Sequence, residues 1–270
     1  MRLLDVEEVG ISFDGVRAVD GVSFAVNAGE VYSIIGPNGA GKTTLFNLIS
    51  GIYATDHGRV RLAGEDVTRL PPPALARRGL SRTFQNLQIF GRMTALENVM
   101  VGRHLHEQHN VLAHLLRLPG TAARDRASAS KGRELLARVG LAEVADKPGA
   151  DLAYGDMKRL EIARALASEP KVLLLDEPAA GCDAIETAMI DRVLVEIAAT
   201  GVAVVLVEHD MTLVMGISHR VLVLDQGRRL SEGAPADVAG DADVIAAYLG
   251  QEYAHKAAGN GRPVAVHACR

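Results

Sequence analysis

Gly36-Pro37-Asn38-Gly39-Ala40-Gly41-Lys42-Thr43 fits the pattern G-x-x-x-x-G-K-[ST] at every position. An apolar, strand-like stretch, Val31-Tyr32-Ser33-Ile34-Ile35, precedes it, and a helical one, Thr44-Leu45-Phe46-Asn47-Leu48-Ile49, follows. Strand, glycine-rich loop and helix are the context a phosphate-binding loop needs. The glycines let backbone wrap an anion where side chains would obstruct it. Backbone N–H groups and the positive end of the helix then point at the phosphates. Lys42 adds a point charge for the β- and γ-phosphates, and the Thr43 hydroxyl is placed to ligate Mg²⁺. The expected nucleotide cradle runs from Gly36 through Pro37, Asn38, Gly39, Ala40, Gly41, Lys42 and Thr43 to Thr44. A plain glycine-rich turn with an exposed lysine would not need those flanks.

Farther along, Lys171-Val172-Leu173-Leu174-Leu175-Asp176-Glu177-Pro178 reads as a buried strand ending in two carboxylates. Ligands of parallel sheets lie off the carboxyl ends of the strands. Asp176 is therefore expected beside the phosphate loop, holding Mg²⁺ directly or through water. Glu177, one residue further out, is placed to orient and deprotonate a water that attacks the γ-phosphorus. Two other residues point to the same crevice. Gln85, in Ser81-Arg82-Thr83-Phe84-Gln85-Asn86, follows a short strand and can reach Mg²⁺ or the attacking water. His209 lies just past the strand Val202 to Val207 and can donate to the γ-phosphate; a satisfied structural histidine is the alternative.

The rest of the chain bounds the possibilities. Its 270 residues make one large domain or two intimately joined lobes, and 48% apolar residues supply an ample core. With 4% aromatic residues and no Trp, a base-stacking platform for single-stranded nucleic acid is not expected. A net charge of −4 offers no electrostatic case for nucleic acid or anionic lipid as the main partner. Cys182 and Cys269 are too far apart in sequence to suggest a disulfide scaffold or zinc cluster. The early acids Asp5, Glu7 and Glu8 argue against a secretory leader. No apolar run approaches the roughly 18 residues of a membrane helix. The chain is expected to be cytosolic and able to dock on a membrane protein.

Residues 3 to 35 read as β-rich, with Val22 to Val26 alternating, and Gly58 to Gly64 as another strand. Pro71-Pro72-Pro73 opens a short helix. From Thr94 to Ser168 the pattern is helical, beginning with the capping box Thr94-Ala95-Leu96-Glu97. The stretch His104 to Lys131 reads as a helical insertion broken at Pro119-Gly120. Its histidines, His104, His106, His109 and His114, have no ligand-spaced partner and fit a solvated helical face. From Lys171 onward strands and helices alternate, which implies parallel βαβ units. Within Ala184 to Ala199, capped by Asp183 and Glu186, the residues Ile185, Met189, Val193 and Ile197 are expected to form a core-facing stripe. Beyond about Ala258 the tail is expected to be disordered.

The order of phosphate loop, Gln85, Leu152-Ala153-Tyr154-Gly155, Leu175-Asp176-Glu177-Pro178, Gly181-Cys182-Asp183 and His209 resembles the nucleotide-binding subunits of ABC transporters, over roughly residues 3 to 250. The resemblance implies an α/β phosphate-loop NTPase: a mostly parallel sheet core, an antiparallel β subdomain and a helical subdomain. The ATPase domain would span 3–253, with the helical subdomain at about 88–168 and a flexible tail at 254–270. ATP and Mg²⁺ would be bound. Phe13 would stack on adenine, core packing being its alternative. Gln85 would couple the ATP site to the membrane subunit, and His209 would be the switch histidine. Two such subunits, identical or homologous, would pair head to tail. Gly155 of the signature would then close on the partner's ATP, and Asp183 would cross the interface. The signature departs from the family pattern: Ala153 stands for a serine, Tyr154 for a glycine and Asp156 for a glutamine. An acid aimed at a triphosphate is expected to weaken ATP-dependent closure.

Arg159-Leu160-Glu161-Ile162-Ala163-Arg164-Ala165-Leu166, Ala179-Ala180-Gly181, Glu208-His209-Asp210-Met211 and Ala247-Tyr248-Leu249-Gly250 are similar to one ATPase of bacterial branched-chain amino-acid importers. Cys182 and Ala184 depart from the Leu and Pro usual there. The resemblance implies two transmembrane permease subunits, a periplasmic solute-binding protein acting indirectly, no nucleic acid, and a peripheral place on the cytoplasmic face of the inner membrane. The alternatives are the ATPase of a lipid or lipopolysaccharide exporter, a non-transport ABC ATPase, and a simple phosphate-loop kinase. The second usually has long coiled coils or two cassettes, and the third needs an acceptor site and lid that are not recognisable here.

Overall fold

The structure, a computed structural model, describes residues 1–83, 85, 87–104 and 121–248. His106, His109, His114, the Pro119-Gly120 break, Phe84, Asn86, Cys269 and the 254–270 tail lie outside the described residues.

Two sheets share one core. Strands β1 (Arg2–Phe13), β2 (Val16–Asn27), β4 (His57–Leu62) and β5 (Glu65–Asp66) form an antiparallel sheet in the order β2-β1-β4-β5. Strands β3 (Val31–Ile35), β6 (Leu80–Arg82), β7 (Val172–Asp176), β8 (Ala203–Val207), β9 (Arg220–Asp225) and β10 (Arg228–Gly233) form the second, in the order β10-β9-β3-β8-β7-β6. Five of its strands are parallel, and β10 is an antiparallel edge. The β3, β7 and β8 strands are buried from end to end, as a parallel sheet covered on both faces requires.

Period-two alternation sends their side chains to opposite faces. Tyr32, Ile34, Leu174, Val205 and Val207 pack towards the antiparallel sheet and helix α1 (Lys42–Ile49). Val31, Leu173, Leu175, Val204 and Leu206 pack towards a helical layer. That layer holds α3 (Ala95–Gly102), α4 (Thr121–Arg138), α5 (Tyr154–Leu166) and α6 (Ala184–Ala199). Among the described residues the other α-helices are α2 (Pro72–Arg77), α7 (Met211–Ile217) and α8 (Pro235–Ala239).

Both expected capping boxes form. Thr94 Oγ1 accepts from Glu97 N while the Glu97 carboxylate accepts from Thr94 N, and Asp183 and Glu186 do the same at α6. The expected stripe on α6 needs correction. Val193 and Ile197 are buried, but Ile185 is 71% exposed and Met189 44%. A strict four-residue step turns about 400°, so the line drifts roughly 40° per step off a helix of 3.6 residues per turn. The buried face instead runs Ile190, Val193, Leu194, Ile197 and Ala198.

Parallel register brings the strand ends that matter to one edge. Asp176 lies opposite Val207, and Arg82 opposite Leu174. The phosphate loop, Glu177, His209 and the segment after Arg82 therefore all leave the sheet on the same side.

Candidate nucleotide site

The loop between β3 and α1 owes its shape to glycine. Gly36, Gly39 and Gly41 have φ of +149°, +82° and +98°. A Cβ on Gly36 would lie 2.2 Å from the Leu224 carbonyl oxygen, and one on Gly41 2.5 Å from that of Ala18. The loop is thus pressed against β9 and β2 by its backbone. Gly41 N-caps α1 without a side-chain cap, which leaves the first helical N–H groups for an anion.

Lys42 is buried and donates from Nζ to the carbonyls of Gly36 at 2.7 Å and Pro37 at 3.0 Å. Burial lowers its pKa, and the charges of Glu177 and Asp176 oppose that shift. The ammonium therefore senses both carboxylates at the end of β7. Asn38, Gly39 and Thr43 are exposed at the loop surface, while Pro37 and Ala40 are buried and Thr44 is half-buried.

Glu177 is held at φ +51°, an uncommon conformation for a residue with a side chain, by the bond from its N–H to the Val207 carbonyl. His209 Nε2 donates to Glu177 Oε1 at 2.8 Å, and Gln85 Nε2 reaches Oε2 at 3.4 Å. Glu177 and Gln85, expected at the attacking water, and His209, expected at the γ-phosphate, are therefore brought together around the one carboxyl group of Glu177. Asp176, buried one residue earlier, is engaged by Arg82 at 3.0 Å. Its pKa is raised by burial, an effect that Arg82 opposes.

Three participants escaped the sequence reading. Lys158, buried on α5, donates to the Glu177 carbonyl at 3.1 Å. Glu208, also buried, accepts from Ala179 N at 2.9 Å and His209 N at 3.1 Å, and so ties the turn after Glu177 to the histidine. Burial pushes its carboxyl pKa up. Arg82 is the third. Each has one detectable signal in sequence: a charge at the end of, or just after, an apolar strand, or within a helix that is otherwise packed.

The remaining candidates sit elsewhere. Phe13, at the end of β1, is 42% exposed and edge-on to Tyr53 at 5.3 Å, so core packing does not explain it. Gly155 donates to Glu186 Oε1 at 3.2 Å, and a Cβ there would meet that carboxyl at 2.4 Å. Tyr154 OH donates to the Ala180 carbonyl at 3.1 Å. Asp183 uses its carboxylate to cap α6, accepting from Ile185 N and Glu186 N at 2.8 Å. Asp156 is paired with Arg159 on its own helix.

The donor set fits Mg²⁺. A carboxylate at Asp176 and a hydroxyl at Thr43 are hard oxygen ligands. Among the described residues no group of three His, Cys, Asp or Glu side chains could cage a metal. An ion that keeps waters and phosphate oxygens as ligands needs no such cage.

Residues 19–180 match the ABC transporter family, and residues 228–254 match the family described as branched-chain amino acid ATP-binding cassette transporter. The chain is 42% identical over 250 residues to the high-affinity branched-chain amino acid transport ATP-binding protein BraF of Pseudomonas aeruginosa, covering 92% of this chain and 98% of that one. It is 40% identical to LivG of Escherichia coli with the same coverage, and 33% identical to the lipopolysaccharide export ATP-binding protein LptB of that organism over 253 residues, 94% of this chain and 99% of that one. In structure it is similar to an ATP-binding cassette of an ABC transporter in its ADP conformation, with a TM-score of 0.81, 32% identity, and coverage of 93% and 99% of the two chains. With matches of this extent and identity, the chain belongs to the ABC transporter family, as one of its ATP-binding cassettes.

Proposed function

We propose that this chain binds and hydrolyses ATP to drive an ABC importer for branched-chain amino acids. The observation that carries the hydrolytic part is Glu177, held between His209 and Gln85 beside the phosphate loop. A carboxylate so oriented can align a water and take its proton while His209 Nε2–H keeps the group in place. Lys42 offsets charge developing on the β- and γ-phosphates. Asp176 and Thr43 would hold Mg²⁺, which when bound supplies further charge neutralisation on the phosphates. Phe13, exposed at the end of β1, is available to an adenine ring.

The two more identical relatives and the match at 228–254 favour the importer over the lipopolysaccharide exporter represented by LptB. In the importer, two cassettes would pair head to tail, with Gly155 and Asp183 at the interface. Residues 88–168 would move as a helical lobe under two permease subunits, on the cytoplasmic face of the membrane. No helix among the described residues is long and apolar enough to cross a membrane.

Glu177→Gln keeps the shape and removes the base. Its ATP turnover is expected to fall about a hundredfold or more, and ATP with Mg²⁺ should shift it to a doubled mass on size exclusion. Turnover at the native rate would remove Glu177 from the base role. Affinity capture from detergent-solubilised membranes is expected to recover two permeases and a second ATPase.

A further inference from the structure

Arg82 ends β6, and its guanidinium ties that strand to two other elements. Nη2 donates to Asp176 Oδ2 on β7 at 3.0 Å. Nη1 donates to Asn47 Oδ1 at 2.7 Å and Ser50 Oγ at 2.8 Å, near the far end of the helix that the phosphate loop opens. The guanidinium carbon lies 5.6 Å from the centre of the Phe46 ring. The Arg82 and Asp176 side chains are only 8% and 3% exposed. A buried charge is tolerated when it is paired, and a second cation brought to the same carboxylate must compete with the first.

We propose that Arg82 is the resident counter-charge of Asp176, holding that carboxylate aimed before the metal arrives and giving it up as nucleotide and Mg²⁺ load together. Arg82 is then a positioning residue that sets how strongly metal and nucleotide binding are coupled. The inference rests on the ATP reading only in placing the metal at Asp176. A guanidinium leaving that carboxylate has somewhere to go. Arg82 lines a cavity of about 680 Å³ between β6 and the helical layer, and the buried carboxylate of Glu161, already 3.7 Å from Arg164 Nη2, lines the same cavity. Its partners Asn47 and Ser50 are neutral, so they can keep it without competing for the metal.

Without Arg82, Asp176 repels the phosphates when metal is absent and attracts the metal more when it is present. Both effects raise one ratio, the Kd for a fluorescent ATP analogue in EDTA divided by that in Mg²⁺. Arg82→Gln is expected to raise this ratio about fivefold or more, whereas R82K, which keeps the charge but not the fork to Asn47 and Ser50, raises it less than R82Q does. A purely structural Arg82 would weaken both affinities alike, so a folded R82Q with an unchanged or smaller ratio overturns the proposal. Should R82Q not fold, the native protein gives the answer by ¹⁵N-arginine NMR. The Arg82 side-chain resonance, assigned by its loss in R82K, should move when Mg²⁺ is added to ATP-loaded protein and stay still on ATP in EDTA. A resonance unmoved by Mg²⁺ overturns the proposal while leaving ATP binding intact. Native protein that retains no ATP would remove the nucleotide reading as well.

Discussion

Gly36 and Gly39 sit three residues apart in one loop, with φ of +149° and +82°, but their surroundings differ. Added methyl groups would meet the Leu224 carbonyl oxygen at 2.2 Å at the first position and nothing within 4 Å at the second. Gly39→Ala therefore carries only the conformational cost of a left-handed residue, about 1–2 kcal/mol. Gly36→Ala adds a clash with backbone that cannot swing aside, for a total of roughly 3 kcal/mol or more. Urea unfolding of the two variants checks the order, and equal losses would mean that β9 yields to the loop. The motif pattern in sequence specifies both glycines without distinguishing them, because the reason for the first lies in a strand nearly two hundred residues away. Arg82 was obscure for the same kind of reason. Its neighbours in sequence are a short strand and Gln85, whereas its charge partner comes from β7.

Helix boundaries were legible where local chemistry decides them. The boxes at Thr94 and Asp183 involve residues three apart, and α6 spans the expected Ala184–Ala199. The β10 edge and the short β5 gave no such local signal, since their pairing partners decide them. A stripe at a step of four does not hold on α6, because 3.6 residues per turn carries Ile185 and Met189 off the core. Asn98 shows what periodicity cannot see in α3. It is fully buried, accepts from Phe90 N at 2.9 Å, and donates to the carbonyls of Phe90 at 3.1 Å and Thr94 at 3.0 Å. One amide thereby fixes the loop that enters the helical layer. Asn98→Leu has similar bulk but strands the Phe90 N–H, while the Phe90 and Thr94 carbonyls keep their bonds from Met93 N and Asn98 N, so a loss of roughly 2 kcal/mol is expected. Thermal or urea unfolding measures it. A loss under about 1 kcal/mol would show that water replaces the amide.

At the scale of the whole molecule, the loop that meets the phosphates also depends on how the two sheets are joined. Asp20 on β2 donates from its N–H to the Gly227 carbonyl at 2.8 Å, and Gly227 N donates to the Ala40 carbonyl at 3.0 Å. The antiparallel sheet, the turn before β10 and the phosphate loop thus form one hydrogen-bonded chain. The Asp20 carboxylate reinforces it, accepting from Arg228 Nη2 at 2.6 Å and Nε at 2.9 Å, and from Arg17 Nη1 at 3.1 Å. Hydrogen bonds from Arg228 and then Arg17 hold its pKa below the ordinary 3.8. A carboxyl whose folded pKa is depressed contributes stability above its unfolded pKa and loses it as pH falls through the folded value. Asp20→Asn should therefore melt below the native protein at pH 7, and the gap should narrow as pH drops through the ordinary 3.8 and below. Because every other carboxyl titrates in both proteins, the difference between the two curves isolates this one. Added salt should also shrink the gap at pH 7, since Arg228 and Arg17 are both mostly exposed. A gap that persists unchanged into acid would mean that the Asp20 side chain acts through shape alone. The backbone bonds through Gly227 would then hold that chain without help from the ion pairs.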